Sequence, residues 1–110
     1  MSKKISLPQL KKYDISQKVI EALADSESRT ILFSVVKKGA TATELSIKLK
    51  IPLSSVYKKL SDLEELTLIE VDKWMISEKG RKFKVYKSRI SRADISIKKP
   101  DPQLLLIPNK

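Results

Sequence analysis

The stretch Thr41-Ala42-Thr43-Glu44-Leu45-Ser46-Ile47-Lys48-Leu49-Lys50-Ile51-Pro52-Leu53-Ser54-Ser55-Val56-Tyr57-Lys58-Lys59-Leu60 holds two helical periods separated by a break. Thr41 or Thr43 can open the first, and Thr41 to Glu44 has the spacing of a capping box. Leu45 and Leu49 sit four apart on one face, which predicts a short helix over 42–49. Ile51-Pro52 ends it, because proline disfavours the helical conformation in the residue before it. Val56, Leu60, Leu63 and Leu66 then recur at spacings of 4, 3 and 3, which predicts a helix over 53–66. A short helix, a tight turn and a second helix opening on small polar residues make a helix-turn-helix.

Upstream, Ile15, Val19, Ile20 and Leu23 predict a helix over 14–24, with Asp14 as its N-cap. Residues 1–13 read as a basic flexible arm containing Pro8. Asp25 or Ser26 caps a further helix over 26–38, whose core face is Ile31, Leu32, Val35 and Val36. Lys37 and Lys38 suit the negative end of its dipole, and Gly39 the left-handed position after it.

Downstream of Thr67 the period changes. Leu68, Ile69, Val71, Trp74 and Ile76 are β-prone, and Glu78-Lys79-Gly80-Arg81 is a turn signal. A second strand follows over 82–90, with further extended segments over 93–98 and 104–107 across a turn at Pro100-Asp101-Pro102. The fold class is therefore α+β: four helices, a β-hairpin wing and additional C-terminal strands, with one domain over 14–90 and a β extension over 91–110. Aromatic residues make up only 5%, so the core is built of Leu, Ile and Val.

The net charge of +10 favours a polyanion, either nucleic acid or an anionic membrane surface. The charge is unevenly placed. Residues 15–70 hold eight basic and eight acidic side chains, whereas residues 71–110 hold eleven basic against four acidic. Within the neutral middle, Lys48, Lys50, Lys58 and Lys59 precede Asp62, Glu64, Glu65 and Glu70, so the 53–66 helix has a basic start and an acidic end. A helix whose first turns meet phosphates has this polarity. Lys58–Asp62 is also an ordinary i,i+4 pair.

There is no Cys and no His, which removes disulfides, thiolate or imidazole metal ligands, Cys nucleophiles and His bases together. No cofactor is expected. No P-loop or Gly-rich nucleotide motif is present, so no enzymatic constellation can be assigned. No apolar run reaches the roughly 18 residues of a membrane span, and no signal-peptide pattern follows Lys3-Lys4. The expected setting is cytoplasmic and nucleoid-associated.

Three stretches carry a family resemblance. Ala22-Leu23-Ala24-Asp25 precedes Ser28-Arg29-Thr30-Ile31-Leu32; Leu53 to Leu60 follows; and Leu63-Glu64-Glu65-Leu66-Thr67-Leu68-Ile69-Glu70-Val71 passes from helix to strand. In this order, residues 15–90 resemble the winged helix-turn-helix of archaeal and bacterial ArsR-like transcriptional regulators. The resemblance implies a regulator that binds double-stranded DNA, with the 53–66 helix in the major groove and a basic wing on the backbone or minor groove. The residues expected at DNA are Thr41, Thr43, Ser54, Ser55, Tyr57, Lys58 and Lys59 of the helix-turn-helix, and Lys79, Arg81 and Lys82 of the wing. Tyr57 could contact DNA or cover the helix-turn-helix junction, and Trp74 is expected to pack in the core or hairpin.

The chain departs from the family at Lys50, where glycine is usual, so either Lys50 is left-handed or otherwise strained there, or the turn differs. Without Cys or His it is no metal sensor of that kind. One recognition helix reads few base pairs, so a homodimer is expected, with the 15–23 helix or the C-terminal strands as its surface. Two other functions fit the same fold: a weakly sequence-specific, chromatin-like DNA-binding protein, and a winged-helix protein–protein interaction module using the Leu104–Ile107 strand edge.

Overall fold

The computed structural model describes residues 7–110, with side chains from Ile15 onward. The helices are α1 (Leu7–Ala24), α2 (Ser26–Ser34), α3 (Ala42–Leu49) and α4 (Leu53–Glu65). The strands are β1 (Ile69–Ile76), β2 (Lys82–Ser88), β3 (Ile90–Ser96) and β4 (Gln103–Pro108). They form two antiparallel hairpins, β1–β2 and β3–β4. The chain is α+β, as the sequence predicts.

One apolar cluster joins both classes of element. Val19 and Leu23 of α1, Ile31, Leu32 and Val35 around α2, Leu45 of α3, and Val56, Leu60 and Leu63 of α4 meet Leu68, Ile69, Tyr86 and Ile90. Ala93, Leu104 and Leu106 of the second hairpin pack against the same cluster.

Helix α1 begins at Leu7, well before the expected start at Asp14, which therefore lies inside the helix rather than at its N-cap position. Pro8 is the second residue of α1 and opens it, because a first-turn residue needs no amide donor. The expected arm over 1–13 thus overlaps α1 from Leu7, and residues 1–6 lie outside the described residues. Ile15, the first of the apolar residues that predict this helix, is 54% exposed.

Helix α2 stops at Ser34, four residues before the expected end. Its next carbonyls are taken by distant donors. The Ser88 amide donates to Val35 O at 3.0 Å, and Asn109 Nδ2 donates to Val36 O at 2.8 Å. Ala40 then pairs with Tyr86 in both directions, at 3.0 and 2.8 Å, as a short third rung beside β2. These bonds draw residues 35–40 out of the helix, so Lys37 and Lys38 sit in a loop rather than in a last helical turn.

Gly39 is not left-handed, contrary to expectation; Gly80 is the positive-φ glycine of the chain. Gly39 serves close approach instead. A Cβ there would lie 2.8 Å from Val85 Cγ1 and 2.9 Å from Tyr86 O.

Both helix-to-next-element turns use left-handed residues that are not glycine. Lys50 has φ 56° and Thr67 has φ 60°. After α3, the Ile51 amide donates to Ser46 O at 3.2 Å and Ser46 Oγ donates to Ile51 O at 2.6 Å. After α4, the Thr67 amide donates to Glu64 O and the Leu68 amide to Leu63 O, at 2.9 and 3.0 Å. This is the Schellman pattern, and the following Ile51 and Leu68 are buried in each case. The burial and hydrogen bonds hold a conformation that costs a non-glycine residue roughly 1–2 kcal/mol.

The second hairpin starts at Ile90, with only Arg89 between it and β2. The sequence reading ran β2 through residue 90 and began the next strand at 93. The break falls at Ser88, whose hydroxyl donates to Ile90 O at 2.6 Å and accepts from the Ile90 amide at 3.2 Å.

Two substitutions test these backbone constraints by chemical denaturation. Thr67→Gly relieves a β-branched left-handed residue and stabilises the fold by about 1 kcal/mol. Gly39→Ala drives a methyl into the Tyr86 carbonyl and destabilises it by about 1–3 kcal/mol.

Candidate nucleic-acid interface

Helix α3 begins at the expected capping box. Glu44 N donates to Thr41 Oγ1 at 3.1 Å, and Thr41 N donates to Glu44 Oε1 at 2.8 Å. The backbone bond from Thr41 holds the Glu44 carboxyl below its ordinary pKa. Thr41 is buried by this role and presents no free hydroxyl acceptor outward. Thr43, one turn residue later, is exposed, as are Ile47 and Lys48.

Helix α4 buries Val56, Leu60 and Leu63. The opposite positions, Ser54, Tyr57, Lys58 and Ser61, follow at spacings of three and four and are exposed. Ser55 is half-buried, between the two faces. Tyr57 is 52% exposed. Lys58 stands in solvent and makes only a 3.9 Å contact with Asp62.

Lys59 is placed differently from its neighbour. Its Nζ lies 2.7 Å from Asp25 Oδ2, and its side chain is only 25% exposed. The same carboxylate oxygen accepts from Ser28 N at 3.0 Å and Ser28 Oγ at 2.7 Å, and so caps α2. Lys59 therefore ties α4 to the start of α2, in a groove of about 500 Å³ that α1 closes with Ala22 and Ile15. It does not stand with Lys58 on the outward face. Lys59, expected at DNA beside Lys58, has its ammonium held by a carboxylate 34 residues earlier.

The pair shifts both groups. The Lys59 hydrogen bond, then those from Ser28, bring Asp25 down from 3.8 to about 2. The Asp25 hydrogen bond raises Lys59 above 10.5.

The β1–β2 hairpin has the form expected of the wing. Its loop is closed by Ser77 N to Arg81 O and Gly80 N to Ser77 O, both 2.9 Å, with Gly80 at φ 80°. Lys79, Arg81 and Lys82 are exposed at this tip. The hairpin root adjoins α4: Tyr86 is buried, and burial first, then Glu64 and Tyr57 of α4, push its hydroxyl pKa up. Trp74 is 58% exposed on β1, not in the core, and Lys84 Nζ sits 5.6 Å from its ring centroid. It packs within the hairpin, yet most of it faces solvent.

No protein-family model matches the sequence, and no curated protein matches it. Among solved structures, the fold is similar to the crystal structure of NolR from Sinorhizobium fredii. The TM-score is 0.55 at 18% identity, over 79% of this chain and 81% of that one. The fold is a winged helix. The winged helix thus brings together Thr43, Ser54, Tyr57 and Lys58 on the exposed side of the helix-turn-helix, and Lys79, Arg81 and Lys82 at the wing tip. It assigns Thr41 and Lys59 to internal bonds. The sequence marks Ile76 only as β-prone and does not single out Lys84; they are exposed and half-buried on the wing, where a strand solvated on both faces shows no alternation to read.

Asp25 supplies a pH test. Its folded pKa is depressed, so its stabilisation is complete above about pH 4 and lost as pH falls toward 2. Asp25→Asn should flatten the acid limb of stability in that window, measured by urea unfolding. Lys59→Met should cost about 1 kcal/mol at pH 7, because the pair is partly solvated. Lys58→Met should leave stability unchanged.

Proposed function

We propose that this winged helix is a DNA-binding transcriptional regulator of the ArsR-like type. The observation that carries the reading is the outward face of α4. Ser54, Tyr57, Lys58 and Ser61 are solvent-facing at helical spacing on a helix whose other face is locked into the core. Short side chains at the start of a helix let it approach base edges, and a lysine can reach phosphate or guanine acceptors. The wing tip adds Lys79, Arg81 and Lys82 at the end of a hairpin rooted beside α4. Cations there suit phosphates flanking the major groove or the adjacent minor groove.

The functional cation of α4 in this reading is Lys58 alone. Thr43, Ile47 and Lys48 of α3 stand where the first helix of the motif crosses the backbone. The molecule acts as a homodimer inside the cell, pairing two recognition helices on one site. Exposed Ile15 on α1 and exposed Ile95 and Leu105 on the second hairpin supply apolar surface for that pairing. Among the described residues, no helix is long and apolar enough to cross a membrane.

Duplex binding followed by fluorescence anisotropy tests the reading. Lys58→Glu should weaken binding by about tenfold or more, with unchanged thermal stability. Affinity should fall steeply with salt, and Lys79→Ala or Arg81→Ala should each reduce the log–log salt slope by about 1. Equal affinity of wild type and Lys58→Glu would sink the assignment of α4. Similar affinity for a panel of unrelated duplexes would instead favour a chromatin-like binder.

A further inference from the structure

The wing carries more than a charged tip. Trp74, Met75 and Ile76 are consecutive and exposed by 58%, 44% and 66%. Directly paired residues of an antiparallel ladder share a face. The pairing Trp74–Lys84 and Ile76–Lys82 therefore places a tryptophan, an isoleucine and two lysines on one face, with Met75–Phe83 on the other. Tyr86 lies two residues beyond Lys84 on that same face and is buried beside Glu64 and Tyr57 of α4. The face thus runs outward from the α4 side of the core to the wing tip. Its paired positions hold two cations and no carboxylate.

Neighbouring apolar side chains left in water on a basic hairpin mark a contact surface. A second copy of the same wing is a poor occupant, because it would bring Lys82, Lys84, Lys79 and Arg81 against their own kind. A polyanion with flat apolar surfaces between its charges is a good one. A base step of duplex DNA offers π faces and a groove edge flanked by phosphates.

We infer that the wing is a wedge. Trp74, with Ile76 beyond it, enters the minor groove and stacks on or inserts at a base step, while Lys82 and Lys84 hold the flanking phosphates. The contact of Lys84 with the indole holds the ring against the strand before DNA arrives. Apolar wedges of this kind unstack a step and kink the duplex, so the preferred sites are easily unstacked ones. This inference rests on the DNA-binding reading above and adds to it a class of site: deformable or locally unpaired duplex.

Trp74 is the only tryptophan of the chain, so its emission reports on the wing directly. The full-length protein is titrated at low salt with a fully paired duplex and with the same duplex carrying one central mismatch. Binding is followed in parallel through a dye on the DNA. Expected are strong quenching of Trp74 on saturation, loss of its access to iodide, and several-fold tighter binding to the mismatched duplex. Trp74→Ala should bind about tenfold or more weaker and lose the mismatch preference, whereas Trp74→Phe keeps most of both. Circular dichroism confirms that each variant is folded.

Duplex binding with unchanged Trp74 emission, and equal affinity of Trp74→Ala, would overturn the wedge while leaving the regulator reading intact. No duplex binding by any form would overturn both. Trp74 blue-shifted by anionic phosphatidylserine vesicles, with no response to duplex, would assign the face to a membrane surface and overturn the wedge.

Discussion

One carboxylate oxygen sets the geometry on which the exposed surface depends. Asp25 Oδ2 accepts from the Ser28 amide, the Ser28 hydroxyl and the Lys59 ammonium. It therefore fixes where α2 starts and which way α4 is turned. Successive helical residues are about 100° apart. With Lys59 turned inward to Asp25, and Val56 and Leu60 in the core, Ser54, Tyr57, Lys58 and Ser61 have to face outward. The apolar stripe supplies most of the burial free energy, but a stripe tolerates some rotation. The ion pair adds a fixed point at the start of α2, worth about 1 kcal/mol.

The second constraint is the treatment of residues 35–40. Their backbone groups are shared out among Ser88, Asn109 and Tyr86 rather than kept within α2. This ties the helices to the wing root through backbone pairing, with one side chain, that of Asn109, adding to it. Gly39 permits it, since a side chain there would strike Val85 and the Tyr86 carbonyl. The position of the wing relative to α4 thus follows from backbone pairing at its root, and the tip can remain solvated.

Much of this could be read in the chain itself. The capping box at Thr41–Glu44, the break at Ile51-Pro52 and the stripe from Val56 to Leu63 are local signals, and the elements they mark have those bounds within about two residues. Lys50 is left-handed, one of the alternatives that its place in the turn left open. What could not be read is non-local. Lys58 and Lys59 are identical in type and adjacent, and only a carboxylate from another helix tells them apart. The early end of α2 depends on donors from β2 and Asn109, so a helical pattern through Val36 overshoots. Pro8 lies in a stretch whose composition suggests an arm, although a proline also fits the first turn of a helix. Trp74 suits core or hairpin packing by residue type alone, and its exposure follows from a hairpin that leaves the core after Val71.

The Asn109 clasp has a consequence for the order of assembly. Its side chain joins Val36 to Ser88, and the first of these bonds spans 73 residues of sequence. The contacts among α2, α3 and α4 are local, and the wing-root bonds Ser88–Val35 and Tyr86–Ala40 span 53 and 46 residues. Chain entropy places long closures late. The helical core and first hairpin can therefore assemble as one cooperative unit before the second hairpin seats. In the native state the same hierarchy predicts that β3 and β4 open first and that their amides exchange ahead of those of α4.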